Sequence, residues 1–272
     1  MRQIIDFYCN GDLLAATLDA ADKNTGLLIV SGGNEIRSGA YSGQAALAQH
    51  FAQQGYPVFR YDRRGVGDSE GLNRGFECSA EDIAAAVAAF RAHVPSMTRV
   101  VALGVCDAAT ALVLFHDQLC VDELILANPW VIETADTEQS APTPPSAAAI
   151  RARYLARLKN PRSLFDLLTG KIDLHKLASG LGRATRKDAP TRLAAAMAGA
   201  LERSIRPVHI LIAARDTTAM AFMGAWRSGL FAPLHSSEHV DLVTFDTPSH
   251  SFADSKSKAW FLTQIESVLR QN

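Results

Sequence analysis

Three residues have the types and spacing that nucleophilic chemistry needs: Cys106, Asp216 and His250. Cys106 stands in "VVALGVCDAAT" (100–110), where an apolar strand-like run meets an alanine-rich, helix-like stretch. A thiol on a sharp strand-to-helix turn is exposed to substrate, and the helix N-terminus favours its thiolate form. Asp107 works the other way, because a carboxylate disfavours a neighbouring anion. Gly104 suits the tight turn, and Ala108 is small enough to pack behind it. Asp216 lies just beyond the apolar run of "ILIAARDTTAM", and His250 lies five residues after Phe245 in "LVTFDTPSHSFAD". The order nucleophile, acid, histidine allows a neutral His250 to take the thiol proton while Asp216 holds its tautomer and stabilises the imidazolium. Taken singly, Cys106 is a buried filler, Asp216 a helix cap and His250 a loop residue; the three in one order point to a triad.

Such a nucleophile needs donors for a tetrahedral oxyanion. After the apolar run "GLLIV" comes "SGGNEIRSG" (31–39), where Gly32 and Gly33 let the backbone approach a ligand. The N–H groups of Gly33 and Asp107 are the candidate oxyanion hole. Asn34, beside the glycines, and Trp130, after the strand that precedes an insertion, are candidates for the substrate pocket. Trp130 reads equally well as core.

The elements that must hold these residues alternate. Short β-branched runs are "QIIDFYC", "LLAATLD", "GLLIVS", "PVFRYD", "RVVALGV", "ELILANP", "VHILIAA" and "HVDLVTFD". Helical patterns fall between several of them: "AYSGQAALAQHFAQQG" ending at Gly55, "SAEDIAAAVAAFRAHV" with Ser79 as N-cap, and "DAATALVLFHDQL". The alternation predicts a mostly parallel sheet with helices on both faces. Asn10-Gly11 between the first two runs predicts an antiparallel hairpin at the start. In such sheets ligands bind outside the carboxyl ends of the strands, where the three candidate residues fall. The rhythm breaks after Trp130, where "ETADTEQSAPTPPSAAA" is polar and proline-rich and the next stretch is helical and basic up to about Ser204. The expected organisation is a core of residues 1–131 and 207–272, with a helical lid or cap insertion at 132–206.

The chain has 272 residues, a net charge of −1 and 20% charged residues, which fits a globular protein with one sizeable core and an elaboration. The near-neutral total hides an asymmetry: residues 150–206 hold thirteen Lys/Arg against four acids. That field suits an anionic or carrier-linked small-molecule substrate, or is simply a solvated helical face. Nucleic-acid binding is not expected, since the basic stretch has only Tyr154 and Phe165 as aromatics. The four cysteines are scattered without metal-ligand spacing, and they read as reduced thiols of a cytoplasmic protein. Cys9, Cys78 and Cys120 read as packing residues. No run of about 18 apolar residues suggests a membrane span, and the first residues do not read as a signal peptide. No metal or cofactor is expected. His209 sits inside a strand pattern, and His235 and His239 flank a proline-containing turn, so neither reads as a metal ligand.

These motifs together resemble the α/β-hydrolase superfamily over nearly the whole chain. "SGG" is similar to its oxyanion loop, "YDRRGVGDSEG" (61–71) to its D-x-R-G-x-G-x-S turn, "GVCDA" to its nucleophile elbow, and "RD" (215–216) and "SHSF" (249–252) to its acid and histidine sites. The resemblance implies an α/β-hydrolase fold: a mostly parallel eight-stranded sheet flanked by helices, with a helical lid. It also implies that the Asp62–Ser69 loop braces the active-site floor. The combination "VSGGNEIRSGAYSGQ…FRYDRRGVGDSEG…GVCDA…SHSFAD" more specifically resembles the exosortase A system-associated hydrolase type 1 group of bacterial exopolysaccharide and protein-sorting systems. Cysteine nucleophiles occur in relatives such as dienelactone hydrolases and polyhydroxyalkanoate synthases. The expected activity is hydrolysis of carboxylic esters or thioesters. Acyl transfer through the same thioester remains open, as does a non-catalytic module that keeps the fold for binding.

Overall fold

The computed structural model describes residues 1–133 and 191–271. Eight strands form one sheet: β1 (Arg2–Cys9), β2 (Asp12–Asp19), β3 (Thr25–Val30), β4 (Val58–Tyr61), β5 (Arg99–Val105), β6 (Glu123–Ala127), β7 (Val208–Ala213) and β8 (Val240–Phe245). Their spatial order is β1-β2-β4-β3-β5-β6-β7-β8. Only β2 runs against its neighbours; every pairing from β4 to β8 is parallel. The β1–β2 hairpin turns at Asn10 (φ 51°) and Gly11 (φ 93°), the left-handed pair that a two-residue turn demands.

Six described α-helices cover the sheet: α1 (Gly43–Gln53), α2 (Ala80–His93), α3 (Asp107–Leu114), α4 (Arg192–Arg203), α5 (Thr217–Trp226) and α6 (Ser255–Leu269). Side chains alternate between the faces of a strand, and β5 shows the consequence. Val100 and Ala102 join the core beneath α2, α3, α4 and α5, while Val101 and Leu103 join the core beneath α1 and α6. This two-sided burial is why the central strands read as unbroken apolar runs. No helix among the described residues is long and apolar enough to cross a membrane.

Helix ends follow their local chemistry only in part. Gly55, at φ 93°, closes α1 as expected. Ser79 does occupy the N-cap of α2, but its hydroxyl donates to Phe76 O at 2.7 Å instead of accepting from the helix. The preceding 3-10 turn, Phe76–Cys78, presents that carbonyl first and captures the hydroxyl. Within the stretch expected to form the insertion, residues 134–190 lie outside the described residues, and most of the basic run lies with them. Helix α4 belongs to that stretch by sequence, yet it packs Ala194, Met197, Ala198 and Leu201 into the core. Its N-cap Thr191 accepts from Ala194 N and donates to Val131 O, tying it to the end of the preceding core segment.

Candidate active site

The elbow is built by backbone strain. Cys106 follows β5 with φ 62° and ψ −125°, a conformation L-residues rarely adopt, and α3 starts at the next residue. Its N–H is held by Ala127 O at 2.9 Å, at the end of β6. A Cβ at Gly104 would lie 2.7 Å from Ala108 C and Ala109 N, so the turn closes only over glycine. Cys106 is partly exposed, and it forms no disulfide. Of the other thiols, Cys9 packs in the core as expected, with burial first and Asp82 second pushing its pKa up to about 11. Cys78 and Cys120 depart from the packing expectation, because both are exposed.

Asp216 and His250 meet as their order along the chain suggested. Asp216 Oδ2 accepts from His250 Nδ1 at 2.9 Å, and the same oxygen caps α5 by accepting from Ala219 N at 3.0 Å. One carboxylate oxygen thus caps α5 and faces His250 at the same time. Burial opposes its charge, but the bonds from His250 and from the Ala219 amide outweigh burial and lower its pKa. His250 is pushed up to about 10, first by Asp216 and next by the side chain of Cys106, against a smaller opposing effect of burial. Its side chain remains 39% exposed.

Residues that the sequence did not signal hold this histidine. Asn128, fully buried just after β6 with φ 46°, donates to His250 O at 2.6 Å and accepts from Ala213 N at 2.8 Å. It thus ties the histidine loop to β7, the strand that delivers Asp216. Phe252, itself at φ 52°, stacks on Phe261 with ring centroids 4.7 Å apart and pins the far side of the loop. The only cue in the sequence is an asparagine between an apolar run and Pro129.

The two oxyanion candidates also meet, through a different contact. Gly33 N–H donates to the Asp107 side chain, Oδ1, at 2.7 Å. As the first residue of α3, Asp107 has a backbone N–H without a partner inside the helix. Asn34 is exposed and accepts from Asn73 Nδ2 at 2.7 Å and Arg63 Nη2 at 3.3 Å. Trp130 is half-buried next to the elbow: its N–H donates to Cys106 O at 3.2 Å and to Thr110 Oγ1 at 3.0 Å, and the Thr110 hydroxyl donates to Trp130 O. Buried Asp62 pairs with Arg37 and accepts from Arg37 N at 2.5 Å and Asp68 N at 3.1 Å, so its own loop is tied to the segment that follows Gly33 and Asn34. Among the described residues, no group of three or more His, Cys, Asp or Glu side chains is arranged to hold a metal ion.

The fold has known counterparts. The family model described as serine aminopeptidase, S33, matches residues 22–210. A search of curated proteins gave no significant match. Similar solved structures include an esterase of Pyrococcus furiosus (14% identity, TM-score 0.64, 99% of this chain and 91% of that one). An α/β hydrolase of Penicillium sp. sh18 gives 17% identity and a TM-score of 0.61 over 99% and 98% of the two chains. The thioesterase domain of the curacin biosynthetic pathway gives 14% and 0.56 over 98% and 99%. At these identities the structures speak for the fold, and the sequence model speaks for the family. The chain belongs to the serine aminopeptidase S33 family of α/β hydrolases.

Proposed function

We propose that this hydrolase cleaves carboxylic esters or thioesters, with Cys106 in the place of the family's serine. The observation that carries the reading is the strained Cys106 at the start of α3 together with the His250–Asp216 pair. Because Nδ1 of His250 faces Asp216, Nε2 is the nitrogen available to the sulfur. With its pKa raised to about 10, His250 holds a proton at neutral pH. The proton that the leaving group needs is therefore already on the ring.

Sγ attacks the substrate carbonyl carbon and the C=O π pair moves to oxygen, where the N–H groups of Gly33 and Asp107 receive it. Collapse breaks the bond to the leaving oxygen or sulfur, which takes the proton from Nε2. Neutral His250 then removes a proton from water, the hydroxide attacks the thioester, and collapse releases the carboxylic acid and returns Sγ as thiolate. The part of the insertion that precedes α4 is proposed as the lid over the acyl group, with Arg151, Arg153 and Arg157 orienting anionic or carrier-linked substrates. If neutralising those three left activity on anionic and neutral esters equally unchanged, that role would be dropped. The motif resemblance further supports work alongside a bacterial exosortase and exopolysaccharide system.

The test is turnover of acyl N-acetylcysteamine thioesters and matching phenyl esters by wild type and Cys106→Ala. Hydrolysis lost by at least about a hundredfold in the variant supports the reading. Hydrolysis unchanged by Cys106→Ala would remove the thiol from the mechanism.

A further inference from the structure

The contact between Gly33 and Asp107 goes beyond what the proposed chemistry requires. One of the two donors expected to hold the tetrahedral oxygen is already spent on an anionic oxygen, Asp107 Oδ1, at 2.7 Å. The fit is close: a Cβ at Gly32 would lie 2.6 Å from that same oxygen, so the loop rests on the carboxylate only because residue 32 is glycine. The outer side of the loop is fastened as well. Arg63 Nη2 donates to Gly33 O and to Asn34 Oδ1, and Asn73 Nδ2 donates to Asn34 Oδ1. With the loop held from outside, the group free to move is the Asp107 side chain, which has two rotatable bonds.

We propose that the Asp107 carboxylate is a resident occupant of the oxyanion site, which substrate must displace, and that this displacement sets substrate preference. The proposal deepens the hydrolase reading and rests on it. A negative oxygen on Gly33 N–H imitates the charge that forms in the transition state, so the resting site is closed to a carbonyl oxygen. A displaced carboxylate needs a new donor, since a half-buried anion without one is costly. An acyl donor bearing a hydroxyl, amide N–H or ammonium next to its reacting carbonyl brings that donor with it. A plain alkyl ester does not, and it leaves the carboxylate unpaired. The favoured class is therefore hydroxylated or amide-bearing esters and thioesters.

Phenyl propionate and phenyl lactate differ by one hydroxyl beside the carbonyl and make the test. kcat/KM for both is measured with wild type, Asp107→Ala and Asp107→Asn, each ratio being divided by the ratio for alkaline hydrolysis. Wild type should prefer the lactate ester by about tenfold. Asp107→Ala should raise the propionate rate by about tenfold, a fraction of what an oxyanion donor is worth, and bring the preference close to the alkaline ratio. Asp107→Asn keeps the size and an acceptor oxygen but not the charge. It should move both values in the same direction, and it serves if the alanine variant folds poorly. Equal loss on both esters in both variants would make Asp107 a brace of the loop and overturn the proposal. Cys106→Ala separates the two failures. If turnover needs Cys106 but the ester ratio ignores Asp107, the gate alone falls; if turnover ignores Cys106, the hydrolase reading beneath it falls too.

Discussion

Replacing Asp216 with Asn isolates the charge that sets the state of His250. Asn is as good an N-cap as Asp, so α5 can keep its bond from Ala219 N. What changes is the group facing Nδ1: a carboxylate that accepts a proton's hydrogen bond becomes an amide that need not. In wild type His250 is raised from 6.5 to about 10, with Asp216 the first cause. Without that carboxylate only the push from the Cys106 side chain is left to oppose burial, so titration should fall from about 10 toward the ordinary 6.5. The full shift would correspond to a ceiling of about 5 kcal/mol. The 39% exposure of the histidine side chain lets solvent screen the pair, and about 2 kcal/mol is the realistic figure. The sign follows from linkage. A histidine with a raised folded pKa contributes stability that is complete below about 6.5 and is lost as pH rises through about 10. The Asn variant should therefore lose about 2 kcal/mol at pH 6, seen as about 4–8 °C in Tm, and almost nothing relative to wild type above pH 10. Urea unfolding at the two pH values and NMR titration of the His250 ring provide the assay. Activity should fall at least about a hundredfold, because the neutral ring is no longer held in one tautomer. Equal destabilisation at both pH values, or a wild-type His250 that titrates near 6.5, would refute the reasoning.

Three further substitutions probe the scaffold. Gly104→Ala places a methyl 2.7 Å from the backbone of Ala108 and Ala109; it should cost about 1–3 kcal/mol or more in thermal unfolding and abolish turnover by opening the elbow. Asn128→Ala leaves Ala213 N and His250 O without their side-chain partner. It should cost about 1–3 kcal/mol in chemical denaturation and lower kcat more than it raises KM. His209 sits between Asp241 (2.7 Å) and Glu123 (2.5 Å), which overcome burial and raise its pKa to about 9. Its stabilising contribution should be complete below about 6.5 and vanish as pH rises through about 9, so His209→Gln should destabilise at pH 6 and be nearly silent at pH 10 when compared by urea unfolding.

The sheet was legible because each central strand is buried on both faces and is apolar at most positions, as in "VVALGV" and "ILIAA". The elbow was legible because strain leaves a local mark: a glycine two residues before the nucleophile and a small residue two after it. Asp216 and His250 could be read from their places at strand ends. What escaped depends on contacts between distant segments. Asn128 looks like a strand-end residue, and its role appears only when β6, β7 and the histidine loop come together. The bond between Gly33 N–H and the Asp107 carboxylate joins a loop to a helix start 74 residues further on, and no spacing rule encodes which way a short acidic side chain will turn. Ser79 shows the same limit at short range: its position was readable, but the acceptor its hydroxyl would choose was not.

The central claim, that Cys106 is a nucleophile activated by His250, is tested most directly by brief iodoacetamide treatment with peptide mapping of each cysteine in wild type and His250→Ala. Cys78 and Cys120 are exposed and report ordinary thiol reactivity in the same sample, while buried Cys9 should stay unlabelled. The account predicts that Cys106 is alkylated faster than Cys78 and Cys120 at neutral pH, and that His250→Ala slows Cys106 alone. A Cys106 that reacts no faster than the two exposed thiols, or whose rate is unchanged in His250→Ala, would contradict it.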